Sequence, residues 1–200
     1  MSVRTLFATR LYEGVLDDPA LLAELAHSIA TLAQDDRAGR QWAKANGYPG
    51  YTSYASLNDL PTRDPAFADL KRALDGHVKR FAALSHMELR GRKLKLDSLW
   101  VNVLKPGGVH SGHIHPNSII SGTVYITAPE GAGPLKLEDP RLPLMMAAPP
   151  RTADAPEDAR SFVYVQPTAG AVLLWESWLR HEVAAGPAKG ERVGVSFNYG

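Results

Sequence analysis

From Lys93 onward the chain alternates apolar and polar residues with a period of two, and no other feature limits its fold as strongly. Seven runs read as strands: Lys93 to Leu104, Ile119 to Thr127, Leu135 to Glu138, Ser161 to Gln166, Ala171 to Glu176, Leu179 to Ala184 and Arg192 to Tyr199. Gly and Pro turns separate them and no helical segment intervenes, which predicts an antiparallel sandwich or jelly roll. The one long interruption, Arg141 to Arg160, is rich in proline and alanine and makes a poor core element. Its length and composition suit a mobile cover over a site.

The first 92 residues follow a different period. Asp18 is placed to cap a helix with Pro19 at its first position, and Leu21, Leu22, Leu25, Ile29 and Leu32 recur at helical spacing. Asp64 and Pro65 repeat that start for a second helix, whose stripe is Phe67, Leu70, Leu74, Val78 and Phe81. Leu6 to Tyr12 alternates weakly as a first strand. Asp35 to Thr62 shows no period and reads as loop with one short strand at most, its Tyr51 to Leu57 stretch available to shape a site. Two hundred residues suit a single domain, with 1–92 a helical flank integral to a core at 93–200.

Composition removes several classes of function. A formal charge of +1 offers no basic excess for a phosphate backbone, so nucleic acid is not an expected partner. The absence of cysteine excludes disulfides, iron–sulfur clusters and thiol nucleophiles, leaving only N and O ligands for a metal. No apolar run reaches the 18 or so residues that cross a bilayer, and no leader-like segment opens the chain; a cytoplasmic protein is expected, with no membrane partner. The chain leaves room for a homodimer.

Three of the seven histidines fall within GGVHSGHIHP, at His110, His113 and His115. On an extended backbone His113 and His115 point to one face and Ile114 to the other, so two neutral imidazoles can share a first-row divalent metal. His27, His77 and His86 lack ligand-type neighbours and read as structural. Several strands carry one strongly apolar face and one face of small, mostly uncharged polar groups: Val193, Val195 and Phe197 oppose Arg192, Gly194, Ser196 and Asn198. Ile120, Val124 and Ile126 likewise oppose Ser121, Thr123 and Tyr125, and Val101 and Val103 oppose Trp100 and Asn102. With the apolar faces covered, the polar faces line an interior cavity. A third ligand is available at His181. If His181 to Arg192 forms a hairpin turning at Gly186-Pro187, Arg192 lies across from His181 and its fork suits the carboxylate of an anionic ligand whose near end meets the metal.

These residues, taken as a set, resemble the iron(II)- and 2-oxoglutarate-dependent dioxygenases of the double-stranded β-helix fold, and specifically a bacterial oxygenase subfamily with His-x-His in place of His-x-Asp. The resemblance rests on Trp100-Val-Asn102, His113-Ile-His115-Pro116, Ser121-Gly-Thr-Val-Tyr125, Asp139-Pro-Arg141, Pro167-Thr-Ala-Gly170, Trp178-Leu-Arg-His181 and Arg192 followed by Ser196-Phe-Asn198. It spans roughly 98 to 199 in the right order; residues 1 to 90 match only loosely. It implies a mostly β fold with flanking helices, a double-stranded β-helix (jelly roll, cupin-like) packed against N-terminal helices. It also implies iron(II) as cofactor, 2-oxoglutarate as cosubstrate, dioxygen as co-reactant and a small molecule or peptide as the hydroxylated substrate. Residue by residue, His113 and His181 become ligands, Arg192 grips the far carboxylate with Tyr125 and Ser196 as secondary holders, and Trp100, Asn102, His110 and Asn198 stand around them. His115 occupies the position where the wider superfamily has a carboxylate. It ligates as a third imidazole, stands off to leave a two-histidine site, or yields to His110; the first is preferred. Two other readings share the pattern: a cupin-type metal enzyme without 2-oxoglutarate, and a non-catalytic ligand-binding β-sandwich. The cupin reading lacks its acidic residue, since Ile119 and Ile120 stand where a glutamate is needed.

Overall fold

The computed structural model describes residues 1–200. Its strands are β1 (Leu11–Val15), β2 (Gly50–Thr52), β3 (Leu96–Leu104), β4 (His110–His113), β5 (Ile120–Thr127), β6 (Leu135–Glu138), β7 (Phe162–Val165), β8 (Ala171–Glu176), β9 (His181–Val183) and β10 (Arg192–Tyr199). Its helices are α1 (Pro19–Asp35), α2 (Arg37–Ala45), α3 (Leu60–Arg63) and α4 (Pro65–Leu84). Six strands form one antiparallel sheet in the order β1-β8-β5-β10-β3-β2, and four form a second in the order β4-β9-β6-β7. This is the double-stranded β-helix with flanking helices that the motif set implies.

Local chemistry starts the two long helices where the sequence places them. Asp18 accepts from the Leu21 N–H at 2.9 Å and Asp64 from the Ala66 N–H at 2.8 Å, each with proline at the next residue, where no N–H is needed. The stripes of α1 and α4 then bury Leu25, Ile29, Phe67, Leu70, Leu74 and Phe81 against Val101, Val124, Val195 and Phe197 on the outward face of the large sheet. Each such side chain gains about 1.5–3 kcal/mol on leaving water. One cluster therefore spans flank and barrel, and the sheet's other face is free to line the interior. That inner space holds a smaller apolar group built on Tyr125, Leu135, Leu137, Leu173, Trp175 and Leu179.

The structure departs from the sequence reading in several places, beginning with two short elements, α3 and β4, that the periodicity does not announce. Residues 37–45 form α2, which buries only Gly39 and Ala43 and so shows no apolar stripe. The first strand is Leu11–Val15 rather than Leu6 to Tyr12, because pairing of Leu11 with Trp175 and Val15 with Ala171 sets its register. His181 and Arg192 are not hairpin partners: β9 pairs with β4 and β6 in the small sheet, whereas β10 pairs with β3 and β5 in the large one. Both line the interior cavity instead. Finally, Arg141 to Arg160 contributes nothing to the cavity that holds the histidines; it lies with the N-terminal arm around a separate groove of about 370 Å³, where Thr5 donates to Asp158.

Candidate metal centre and anion pocket

Two adjacent strands of the small sheet and one turn bring three imidazoles together. His113 ends β4 directly across from His181 on β9, and a bulge between His110 and His113 re-aims the strand. His115 lies past the end of β4, held by its own N–H donating to the Ser177 carbonyl at 2.9 Å. Ligand nitrogens of His113, His115 and His181 lie within 4.8 Å of one another. His110 falls outside that set; its ring stacks on His113 at 4.7 Å and meets Tyr48 edge-on at 5.8 Å.

The chemistry of this donor set fits a divalent ion. Nδ1 of His113 lies 2.8 Å from the Ser111 carbonyl and Nδ1 of His181 lies 2.9 Å from the Leu179 carbonyl, so each Nδ1 carries the hydrogen and each Nε2 offers a lone pair. Burial, first of all, drives the His181 imidazole down to about 3 and those of His115 and His110 to about 4, with the neighbouring histidines adding to the shift. These three rings are therefore neutral at pH 7, which for His115 and His181 is the state that metal ligation requires.

Around them is a small cavity of about 40 Å³ whose lining includes Trp100, Asn102, Thr123, Arg192, Gly194 and Ser196 and no acidic residue. Arg192 is only 8% exposed, makes no ion pair, and leaves its Nε without a partner. Its sole hydrogen bond goes to the Tyr125 hydroxyl at 3.2 Å, and the guanidinium lies 4.8 Å from that ring's centre. A buried cation with spare donors and no carboxylate nearby has the chemistry to receive an anion. Along β10, Arg192, Gly194, Ser196 and Asn198 face the interior in turn, with Asn198 beside His115. The cavity thus runs from a guanidinium, past a residue with no side chain, to the imidazoles, as a short dicarboxylate with one metal-binding end requires.

A profile of the family described as "Putative 2OG-Fe(II) oxygenase" matches residues 98–198, half of the chain. The chain belongs to this family. The oxygenase is accordingly an iron(II)- and 2-oxoglutarate-dependent enzyme. Its fold is shared with a Pseudomonas putida prolyl-4-hydroxylase at 15% identity, with 96% of this chain and 92% of that one covered and a TM-score of 0.58. It is also shared with HygX from Streptomyces hygroscopicus, solved with nickel, 2-oxoglutarate and hygromycin B, at 16% identity, 96% and 83% coverage and a TM-score of 0.62. A third is the viral collagen prolyl hydroxylase of Paramecium bursaria Chlorella virus-1 in its 2-oxoglutarate complex, at 12% identity, 94% coverage of both chains and a TM-score of 0.59. No curated protein matches the oxygenase by sequence. No helix is long and apolar enough to cross a membrane.

The structure adds Tyr48 and Trp175, which the sequence reading missed, and gives the 51–57 stretch specific partners. Tyr48 and Thr52, both from the flank, donate to Asn102 Oδ1 at 3.0 Å, and Asn102 Nδ2 donates to Ser196 Oγ at 3.0 Å. Ser196 is thereby tied to Asn102, four residues along β10 from Arg192, while Tyr125 stands directly beside the guanidinium. Tyr54 packs edge-on against Trp100 at 5.4 Å, which puts the 51–57 stretch at the edge of the site. Trp175 lines the cavity, meets His181 at 4.6 Å and has a buried N–H without a partner. Nothing in the local sequence marks Tyr48, which follows an aperiodic stretch; Trp175 is hidden in an ordinary apolar strand.

Proposed function

We propose that the chain holds iron(II) through His113, His115 and His181, anchors the distal carboxylate of 2-oxoglutarate on Arg192 with Tyr125, and hydroxylates a small molecule or peptide. One observation carries this reading: a buried, unpaired guanidinium shares an acid-free cavity with three clustered imidazoles. A non-catalytic binding module would have no need to keep both. Three neutral ligands leave the ion's two positive charges uncompensated, and a dicarboxylate cosubstrate supplies the missing negative charge.

When bound, iron and 2-oxoglutarate supply the oxidising chemistry: dioxygen is split between succinate, formed with loss of carbon dioxide, and a hydroxyl group inserted into a substrate C–H bond. The chain's own residues bind and orient. Arg192 and Tyr125 fix one end of the cosubstrate, Gly194 leaves room for its body, and the Asn102–Ser196 pair places a hydroxyl along its path. The flank belongs to this unit, because Tyr48 and Thr52 orient Asn102 from residues 1–92.

The test is a screen of amino acids, peptides and small metabolites for stimulated succinate formation. Turnover should require both iron and 2-oxoglutarate; a product formed without 2-oxoglutarate would move the enzyme to the cupin class.

A further inference from the structure

His115 differs from the other two candidate ligands in what faces the far side of its ring. His113 and His181 each have a carbonyl oxygen at Nδ1, an acceptor that fixes a hydrogen there and leaves Nε2 free. His115 Nδ1 instead lies 3.3 Å from Asn198 Nδ2, a donor. In this arrangement Nδ1 must accept, the ring hydrogen sits on Nε2, and Nε2 has no lone pair for an ion. A hydrogen on Nδ1 would face another hydrogen. The Asn198 amide as it stands therefore opposes ligation by His115.

The surroundings of Asn198 allow this opposition to be reversed without moving any heavy atom outside the amide; only hydroxyl and ring hydrogens shift with it. Asn198 sits on β10 opposite Ser98 of β3 on one side and Ser121 of β5 on the other. Its Nδ2 donates to Ser98 Oγ at 3.1 Å, and its Oδ1 accepts from Ser121 Oγ at 2.7 Å, with Ser177 Oγ a further 2.7 Å from Ser121 Oγ. Every neighbour is a hydroxyl or an imidazole, able to donate or accept. Turned by half a rotation, the amide offers Oδ1 to both Ser98 and His115 Nδ1. Nδ2 then donates to Ser121, which passes its own hydrogen to Ser177. Only the Ser177 hydroxyl must find a new acceptor.

We infer that Asn198 is the positioning residue that makes His115 a metal ligand, its amide turning so that Oδ1 accepts the Nδ1 hydrogen and frees Nε2 for the ion. The inference rests on His115 being the third ligand. It gives the site two states set by one side chain. In one the amide caps a free imidazole; in the other it orients a bound one.

Zinc, which is diamagnetic, serves as the probe. Affinity is measured by competition with a chromophoric chelator on wild type and on Asn198→Leu, Asn198→Asp and His115→Ala. Leucine cannot accept from Nδ1, so zinc binding should weaken about 10–100-fold, the usual cost of losing such a partner. Aspartate accepts and never donates, and should bind zinc at least as tightly as wild type. Nitrogen-15 spectra of the histidine rings should show the His115 hydrogen on Nε2 without metal and on Nδ1 with zinc. A folded Asn198→Leu that binds zinc like wild type, or a zinc-loaded His115 with no hydrogen on Nδ1, overturns the inference. If Asn198→Leu fails to fold, the spectra of wild type and the aspartate variant still decide. Should His115→Ala leave zinc affinity untouched, the ligand assignment itself falls; should it weaken binding while both Asn198 variants match wild type, only the role of Asn198 falls.

Discussion

Replacing Arg192 by methionine should move stability and cosubstrate affinity in opposite directions. The guanidinium is 8% exposed, has no acidic partner and leaves Nε unsatisfied, so the protein without cosubstrate carries the desolvation penalty of a buried charge. Methionine of similar length removes that penalty. It also removes the contact with the Tyr125 ring, worth about 1–2 kcal/mol when desolvated, and one hydrogen bond of about 1 kcal/mol to the Tyr125 hydroxyl. Substituting apolar groups for buried charges is neutral to stabilising by about 1–4 kcal/mol even where the charges are paired. The cosubstrate-free variant should therefore be between unchanged and about 3 kcal/mol more stable. At about 2–4 °C per kcal/mol for a chain of this size, that is a rise of up to about 12 °C. Affinity for 2-oxoglutarate should fall by about two to four orders of magnitude, the equivalent of about 3–5 kcal/mol for taking one partner from a buried charge pair. Thermal scans without metal, and calorimetric titration of 2-oxoglutarate into the manganese-loaded protein, read the two effects separately. A cosubstrate-free variant destabilised by more than about 2 kcal/mol would mean that Arg192 is structural, and unaltered 2-oxoglutarate affinity would remove it from the site.

Three further outcomes follow from the same geometry. His181→Ala, which removes the ligand on β9, should abolish iron binding in anaerobic titration; unchanged iron stoichiometry would refute the ligand set. Without metal, stability should fall as pH is lowered from about 6.5 towards 4, because the unfolded chain protonates His110, His115 and His181 while the fold, holding their values at about 4, 4 and 3, keeps them neutral. Urea midpoints of the metal-free protein across that window check the sign, and a midpoint independent of pH would contradict the burial of these rings. Gly50, at φ 152°, would place a Cβ 1.9 Å from the Val103 carbonyl oxygen, so Gly50→Ala should cost about 2 kcal/mol or more in a denaturant titration. An alanine variant as stable as wild type would show that β2 can move off β3 freely.

Much of this protein is determined by residues close together in the chain. The period-two strands after Lys93, the Asp-Pro starts of α1 and α4 and the paired faces of β3, β5 and β10 are local patterns, because side-chain alternation and helix capping depend on neighbours a few residues apart. The same holds for His113 and His115, close enough in sequence to announce a ligand pair. What the local pattern could not supply was the partner of each element. Helix α2 hides because it covers the barrel with glycine and alanine rather than an apolar stripe. His181 and Arg192, eleven residues apart, invite a hairpin, yet they enter different sheets and line one cavity from opposite sides of the fold. Tyr48, Trp175 and the serines around Asn198 acquire their roles only when strands distant in sequence lie side by side. Hydrogen bonds and charge burial act over a few ångströms of space, so the metal-binding residue types are written in the chain, while their orientation, protonation and vacant partners exist only in the folded molecule.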